Sequence, residues 1–146
     1  MKILIASDHA GQKLKSYIIE NFVSNADFID LGPDSDESVD YPDFAKKLCL
    51  KLADDISIKF GILICGSGVG MSIAANRFSK IRASLCFTEE IAKLSRQHND
   101  ANVLCLGARM IEEGSVIKIL DVFMKTKFAS GRHQDRINKI NDDIQS

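Results

Sequence analysis

Short apolar runs alternate with stretches of helical periodicity along the chain. The apolar runs predict five β-strands, at Lys2–Ser7, Phe28–Leu31, Phe60–Cys65, Arg82–Cys86 and Val103–Gly107. Strands separated by helices at this spacing indicate βαβ units. We therefore predict an α/β fold with a five-stranded parallel sheet that helices cover on both faces.

The helical stretches carry apolar residues four positions apart, as a helix with one buried face requires. They predict helices over Gly11–Val23 and Pro42–Ala53, the second with its proline in the first turn. Thr88 is predicted to cap a third helix, Glu89–Gln97, whose acidic first turn suits the helix dipole.

Composition restricts the classes of protein to consider. The chain has 146 residues, 45% hydrophobic and 27% charged, which suits one domain over residues 1–146 and is too short for two. Its net charge of −1 gives no electrostatic reason to expect binding to nucleic acid or to an anionic membrane. No apolar run approaches the roughly 18 residues of a membrane-spanning helix, and the first run is too short for a signal peptide. We therefore expect a cytoplasmic protein.

The cysteine pattern bears on disulfides and metals. Four cysteines, Cys49, Cys65, Cys86 and Cys105, lie far apart, and none belongs to a C-x-x-C pair. Three of them lie in apolar, strand-like runs. This distribution argues against a disulfide framework and against a zinc site, so we predict reduced thiols and no bound metal.

Cys65 stands where a buried strand meets the glycine-rich loop Gly66-Ser67-Gly68-Val69-Gly70 and a helical stretch of small residues. Glycines let a ligand approach the backbone, and the free N–H groups at a helix start favour an anion. Surroundings of this kind stabilise a reactive thiolate. Packing of Cys65 in the core is the alternative, and the G-x-G-x-G spacing differs from the G-x-G-x-x-G of dinucleotide folds.

Other polar residues are predicted at the same edge of the sheet as this thiol. In an open parallel sheet, ligands bind beyond the carboxyl ends of the strands. Asp8 and His9 follow the first strand, Arg109 follows the fifth, and the loop Gly32–Asp40 follows the second and leads to Tyr41. We expect these residues to meet at one site. Asp8 has a simpler alternative role, which is to cap the first helix.

His98 lies in a polar stretch that we assign to a loop between the helix at Glu89–Gln97 and the fifth strand. Asn99 and Asp100 are placed to fix its tautomer and orientation. With those neighbours His98 is a candidate functional residue. A solvated surface histidine is the simpler alternative.

Three arginines outside the regular core form a candidate phosphate clamp, because guanidinium binds phosphate bidentately. They are Arg109, Arg132 and Arg136, and the last two share one face of a final predicted helix. The narrow apolar stripe of that helix consists of Ile137, Ile140 and Ile144. Because the sheet is already covered, we expect this helix to pack on a second subunit.

Six motifs occur together and in order along the chain. They are Ser7-Asp8-His9-Ala10-Gly11, Asp40-Tyr41-Pro42-Asp43, Ile64-Cys65-Gly66-Ser67-Gly68-Val69-Gly70, Ser72-Ile73-Ala74-Ala75-Asn76, Ser95-Arg96-Gln97-His98-Asn99-Asp100-Ala101-Asn102 and Gly131-Arg132-His133. With these motifs the chain resembles the type B ribose-5-phosphate isomerase family, which also includes galactose-6-phosphate isomerase subunits. The resemblance implies a Rossmann-like three-layer α/β/α sandwich, a homodimer with active sites shared across the subunit interface, and no metal or organic cofactor.

The resemblance also implies a reaction, the interconversion of ribose 5-phosphate and ribulose 5-phosphate by proton transfer through a cis-enediolate. In that reaction Cys65 is the base, and His98 assists opening of the furanose ring with Asp8 nearby. The enediolate-stabilising amides are those of Gly66, Ser67, Gly68, Val69 and Gly70. The residues that contact the sugar or its phosphate are Asn99, His9, Arg109, Arg132 and Arg136.

Three alternatives stay open on the sequence. A hexose 6-phosphate, of allose or galactose, is the substrate in the first. A cysteine hydrolase would use Cys65 as nucleophile and His98 as its base. A nucleotide-binding module would contact a ribose through Glu89 or Glu90.

Overall fold

The computed structural model describes residues 1–22, 24 and 26–142, and five strands lie within them. The strands are β1 (Lys2–Ser7), β2 (Asp27–Asp30), β3 (Phe60–Cys65), β4 (Ala83–Leu85) and β5 (Val103–Gly107). Three have their predicted bounds, β2 is displaced by one residue, and β4 is one residue shorter at each end. All neighbouring strands run parallel. The predicted five-stranded parallel sheet is therefore confirmed.

The strands lie in the order β2-β1-β3-β5-β4. The connection from β1 leads toward one edge of the sheet, whereas the connection from β3 leads toward the other. A crevice forms between the carboxyl ends of two such strands, and α/β proteins bind ligands there. Asp8 follows β1 and Cys65 ends β3, so both residues lie at this switch point.

Six helices lie in the described part of the chain. They are α1 (Gln12–Asn21), α2 (Tyr41–Asp54), α3 (Val69–Ala75), α4 (Glu89–Asn99), α5 (Glu113–Lys125) and α6 (Arg132–Asn138). Thr88 caps α4 as predicted, because its Oγ1 accepts a hydrogen bond from the Ile91 N–H at 3.2 Å. Val23, the predicted end of the first helix, lies outside the described residues, and α5 is not among the predicted helices. None of the described helices has the length and apolar character needed to cross a membrane.

Alternating side chains of the strands form two separate cores. Ile3 and Ile5 point to one face of the sheet, where they share a core with residues of α1, α4 and α5. Leu4 and Ala6 point to the other face, where they share a core with residues of α2 and α3. Helices therefore cover both faces, which confirms the three-layer α/β/α sandwich.

The last helix differs from the others because it contributes no buried residue. Ile140, in the turn that follows α6, is more than half exposed. Ile144 lies outside the described residues. Packing of this helix on a partner subunit stays a prediction.

Candidate active site

A small cavity, which we call the Cys65 cavity, opens at the switch point between β1 and β3. It has a volume of about 270 Å³ and is lined by Asp8, Tyr41, Cys65, Gly66, Ser67, Gly70, Arg109 and Met110. All but Met110 belong to segments that the sequence predicts to meet at this edge. They meet because the carboxyl ends of parallel strands share one edge of the sheet.

Cys65 is buried at the end of β3, and its Sγ accepts a hydrogen bond from the Gly68 N–H at 3.2 Å. The turn behind this contact depends on Gly68, whose φ of 78° lies in the left-handed region. A Cβ at Gly68 would also lie 2.4 Å from Leu85 Cδ1. Glycine therefore stands where the loop must curl back onto the sulfur.

The other three cysteines lie in the cores, where burial disfavours a thiolate. Burial raises the pKa of Cys49 to about 12, and it also raises the pKa values of Cys86 and Cys105. All four cysteines are unpaired, as predicted for reduced thiols. Of the four, only Cys65 lines the cavity at the switch point.

Arg109 lies against the glycine loop. Its backbone N–H donates to the Gly66 carbonyl at 2.9 Å, which fixes the start of the segment after β5. A Cβ at Gly66 would lie 2.6 Å from Arg109 Nη1, so glycine leaves room for the guanidinium. A positive charge is thereby held beside Cys65.

Asp8 and His9 are both fixed by backbone N–H groups. Asp8 is buried, and its Oδ1 accepts a hydrogen bond from the Gly11 N–H at 3.0 Å, just before α1. It therefore helps to start α1, and it lines the Cys65 cavity as well. His9 Nδ1 accepts a hydrogen bond from the Val39 N–H at 3.2 Å. The loop after β2 thus reaches the residue pair that follows β1, as predicted.

His98 belongs to a second cavity of about 340 Å³, which we call the His98 cavity. Its lining residues are His98, Asn99, His133, Arg136, Ile137 and Ile140. His98 lies in the last turn of α4, which continues to Asn99, so the prediction of a loop at His98 is wrong. The ring of His98 stacks on the ring of His133, with centroids 4.4 Å apart and 13° between the planes.

Asp100 does not orient His98, contrary to the prediction. Its backbone has φ of 44° at the end of α4, and its carboxylate binds Arg96 at 2.8 Å and Arg82 at 3.1 Å. The two guanidinium groups give this carboxylate charge-assisted hydrogen bonds, so it is already paired. The ring contact that the structure gives His98 is its stack on His133.

His133 lines the His98 cavity, although it is absent from the predicted site residues. Burial, followed by the charges of His98, Arg132 and Arg136, lowers the pKa of His133 below its usual value. One sequence signal pointed to it, because His133 and Arg136 are three apart and share a helix face.

The two cavities lie at opposite ends of the strands. The Cys65 cavity lies at the carboxyl ends, and the His98 cavity lies at the amino ends. α4 begins after the carboxyl end of β4 and returns to the amino end of β5, which is where His98 lies. The β3–β5 pairing extends from Gly61–Val103 to Cys65–Gly107. Four residue steps at about 3.3 Å each separate the two edges by roughly 13 Å. Cys65 and His98 therefore do not meet within one chain.

The three predicted phosphate-binding arginines are divided in the same way. Arg109 lines the Cys65 cavity, whereas Arg136 lines the His98 cavity and Arg132 lies one turn before it on α6. They do not form a clamp within one chain. Asn99 and His98 accompany Arg136 at the second edge.

The structure also bears on two other kinds of ligand, a nucleotide and a metal ion. Glu89, the proposed ribose contact of a nucleotide-binding module, lines a depression with Asn21 and Lys118 and is not part of the Cys65 cavity. Across residues 1–22, 24 and 26–142, no group of three or more His, Cys, Asp and Glu side chains is arranged to hold a metal ion.

Comparison with known proteins identifies the family of this chain. The model of the Ribose/Galactose Isomerase family matches residues 3–140, nearly the whole chain. The chain belongs to the ribose/galactose isomerase family. The ribose-5-phosphate isomerase B of Escherichia coli is 43% identical over 140 residues, which cover 95% of this chain and 93% of that protein. The sequence-based resemblance is therefore confirmed.

Solved structures of this isomerase family share the fold. A ribose 5-phosphate isomerase from Thermotoga maritima has a TM-score of 0.93 at 46% identity, with 97% of each chain covered. A ribose-5-phosphate isomerase B from Mycoplasma genitalium, solved with bound ribulose-5-phosphate, has a TM-score of 0.90 at 46% identity, with 95% of this chain and 93% of that chain covered.

Proposed function

We propose that this protein interconverts ribose 5-phosphate and ribulose 5-phosphate. The observation that carries the proposal is the Cys65 cavity, where a thiol that accepts a backbone N–H lies beside a carboxylate and a guanidinium. The chain's membership of the ribose/galactose isomerase family and the ribulose-5-phosphate bound to the Mycoplasma genitalium relative support this substrate.

Cys65 is the base in this proposal. In the open-chain aldose its thiolate removes the proton from C2, and the electrons move toward the carbonyl oxygen on C1 to give an enediolate. The proton returns to C1, a second proton passes from O2 to O1, and the ketose forms. Because the substrate and product have the same composition and oxidation level, the reaction requires no redox cofactor.

The glycine loop supplies hydrogen-bond donors to the enediolate. Two of its amides are already committed, since the Gly68 N–H donates to Cys65 and the Val69 N–H donates to the Ser67 hydroxyl at 3.3 Å. The amides of Gly66, Ser67 and Gly70 are therefore the donors we assign to the enediolate oxygens. Preorganised N–H groups of this kind stabilise a developing oxyanion without reorganisation.

A second copy of the chain completes the site. Furanose opening needs a proton donor and acceptor near the ring oxygen, and Asp8 is the only side chain of the Cys65 cavity that we assign to that role. We assign the other group to His98 of the partner subunit, with Asn99 of the partner subunit contacting the sugar. A two-fold dimer would bring the His98 cavity of each chain against the Cys65 cavity of the other.

The same arrangement assembles the phosphate site. His9 and Arg109 come from the chain that supplies Cys65, while Arg132 and Arg136 come from the partner subunit. Binding energy on the non-reacting phosphate then orients the sugar over the thiol. The arginines that lie apart in one chain become neighbours in the dimer.

The reaction class can be tested by proton NMR in D₂O with ribose 5-phosphate and no added metal. We expect ribulose 5-phosphate with deuterium at C1. Allose 6-phosphate and galactose 6-phosphate run in parallel, and turnover of a hexose phosphate alone would correct the substrate. Turnover of none of them, or release of a hydrolysis product, would overturn the isomerase proposal.

The shared site can be tested by mixing two inactive variants. In a heterodimer of Cys65→Ala and His98→Asn chains, one site carries both substitutions and the other carries neither. Random reassociation makes half of the dimers mixed, so about a quarter of the wild-type activity should return. Mixing Cys65→Ala with the Cys65→Ala, His98→Asn double variant is the control, because no intact site forms. A mixture no more active than the control would contradict a shared site.

A further inference from the structure

The backbone just before His9 is held by main-chain hydrogen bonds to two neighbouring segments. Just before it, the Ser7 N–H donates to the Gly32 carbonyl at 3.1 Å, and the Asp8 N–H donates to the Ile64 carbonyl at 3.0 Å. The first contact joins β1 to the loop after β2, and the second joins it to β3. The backbone that carries the imidazole is therefore tied to its two neighbouring segments.

The hydrogen bond to the ring identifies which nitrogen carries the proton. The Val39 N–H donates to His9 Nδ1 at 3.2 Å, and a main-chain amide can only donate. Nδ1 must then present its lone pair, so in the neutral ring the hydrogen is on Nε2. The half-buried ring thus has one donor, Nε2–H, left for a ligand.

The loop that carries Val39 is itself anchored at its start. The buried Lys15 ammonium donates to Asp30 Oδ1 at 2.8 Å and to the Pro33 carbonyl at 2.7 Å. Lys47 Nζ donates to the Leu31 carbonyl at 2.9 Å. The far end of the loop runs directly into α2 at Tyr41. Val39 therefore sits in a segment with both ends fixed.

We propose that Val39 is a positioning residue whose main-chain N–H fixes His9 as the Nε2–H tautomer, a directional hydrogen-bond donor to the phosphate of the substrate. The proposal rests on the proposed function for the identity of the phosphate ligand. In this proposal the guanidinium groups supply the positive charge that attracts a phosphate dianion, and His9 supplies one oriented N–H. The loop after β2 becomes part of the phosphate site through this main-chain N–H.

The tautomer can be read directly from the imidazole ¹⁵N shifts of His9 in the full-length protein. We expect an unprotonated, hydrogen-bonded Nδ1 and a protonated Nε2. In Val39→Pro, which removes the N–H, we expect the two shifts to move toward the average of exchanging tautomers. Ser35→Pro is the matched control, because it places proline in the same loop away from His9 and should leave the shifts unchanged. A protonated Nδ1 in the wild-type protein, or unchanged shifts in Val39→Pro, would overturn the proposal.

Inorganic phosphate serves as the probe of the ligand contact. Titration should shift the Nε2 signal and leave Nδ1 nearly unmoved, and a response at Nδ1 alone would contradict the assignment. This readout does not depend on turnover. If the tautomer and the phosphate response are as expected but ribose 5-phosphate is not converted, the proposed function fails and the role of Val39 stands.

Kinetics of two substitutions at His9 keep the proposal testable if Val39→Pro does not fold. Glutamine places an amide nitrogen near the position of Nε2, whereas asparagine places one near Nδ1. We therefore expect His9→Gln to keep KM within a few-fold of wild type, and His9→Asn to raise KM about tenfold with a smaller change in kcat. Equal KM values for the two variants would contradict a donor at Nε2.

Discussion

At the scale of single residues, the surroundings of the four cysteines separate one thiol that lines a cavity from three that lie in the cores. Burial keeps three of them as thiols, and it raises the pKa of Cys49 to about 12. Cys65 instead accepts the Gly68 N–H and faces a cavity with Asp8 and Arg109. Sequence predicted four reduced thiols, and the structure separates the one that a substrate can reach.

We expect Cys65→Ala to lower kcat by about 10²–10⁴-fold while KM changes little, because it removes the base and leaves the phosphate contacts intact. Steady-state kinetics with ribose 5-phosphate provide the measurement. Cys86→Ala is the control, since this thiol lies buried in the core. Activity of Cys65→Ala within tenfold of wild type would rule out the base assignment.

His133 gives the protein a pH dependence of stability. Because its pKa in the folded protein is below the usual 6.5, the unfolded state binds more protons as pH falls. The free energy of unfolding should therefore decrease as pH falls from about 6.5 through the lower folded pKa. His133→Phe, which keeps an aromatic ring against His98, should remove this part of the decrease. Urea unfolding at pH 8 and pH 5.5, at one protein concentration, checks it; an identical decrease in both proteins would contradict it.

At the scale of elements, the end of α4 is held by a buried arginine. Arg96 Nη1 donates to Asp100 Oδ1 at 2.8 Å and to the Ala101 carbonyl at 2.6 Å. Its guanidinium also lies 4.9 Å from the centroid of the Phe60 ring. These contacts join the last turn of α4, and with it His98, to the core.

Arg96→Met should lower the free energy of unfolding by about 2–4 kcal/mol, because it leaves the Ala101 carbonyl and part of the Asp100 carboxylate without a donor. Activity should fall as well, since His98 lies two residues further along α4. Lys125→Ala is the control. It breaks an exposed pair with Asp121 on α5, for which we expect a loss below about 1 kcal/mol. Equal urea midpoints for the two variants would contradict the role of Arg96.

The short helix α6 carries charge to the His98 cavity without adding to the core. We expect Arg136→Ala to raise KM for ribose 5-phosphate about tenfold with a smaller change in kcat, because it removes a phosphate contact. Gln134→Ala on the same helix is the control, since Gln134 is exposed and pairs with Asn138. An unchanged KM in Arg136→Ala would remove this residue from the phosphate site.

At the scale of the whole molecule, the loop and helix that follow Cys65 and the segment after β5 carry exposed apolar side chains. Val69 and Ile73 on α3 are 46% and 57% exposed, and Met110 after β5 is 62% exposed. In the proposed dimer, a second chain covers this surface when it brings its His98 cavity to Cys65. Covering large exposed apolar side chains favours association.

Ile73→Glu should therefore shift the protein toward monomer and lower its activity at the same time. Sedimentation velocity at micromolar concentration, with kinetics on the same samples, provides the measurement. Ile56→Glu is the control, because Ile56 is 98% exposed beside α2 and does not line either cavity. A stable dimer of Ile73→Glu with normal activity would contradict this interface.

The amino-acid sequence by itself determined the strands, the alternation with helices and one edge of the site. The longest apolar runs, at β1, β3 and β5, gave the correct bounds because strands buried on both faces of a parallel sheet consist of nearly continuous apolar residues. Asp8, Cys65 and Arg109 were then correctly placed together, since residues that follow parallel strands share an edge.

Only the tertiary structure decided the strand order, the helix α5 and the surroundings of His98. The whole of α4 brings the chain back to the amino end of β5, so His98 lies at the opposite edge of the sheet from Cys65, and Asp100 binds Arg82 and Arg96 instead. The ion pair of Asp100 with Arg82 and the stack of His98 on His133 depend on contacts between segments far apart in the chain, which local periodicity does not encode. The same reason explains why the divided site, and the second chain that we propose to complete it, could not be derived from spacing.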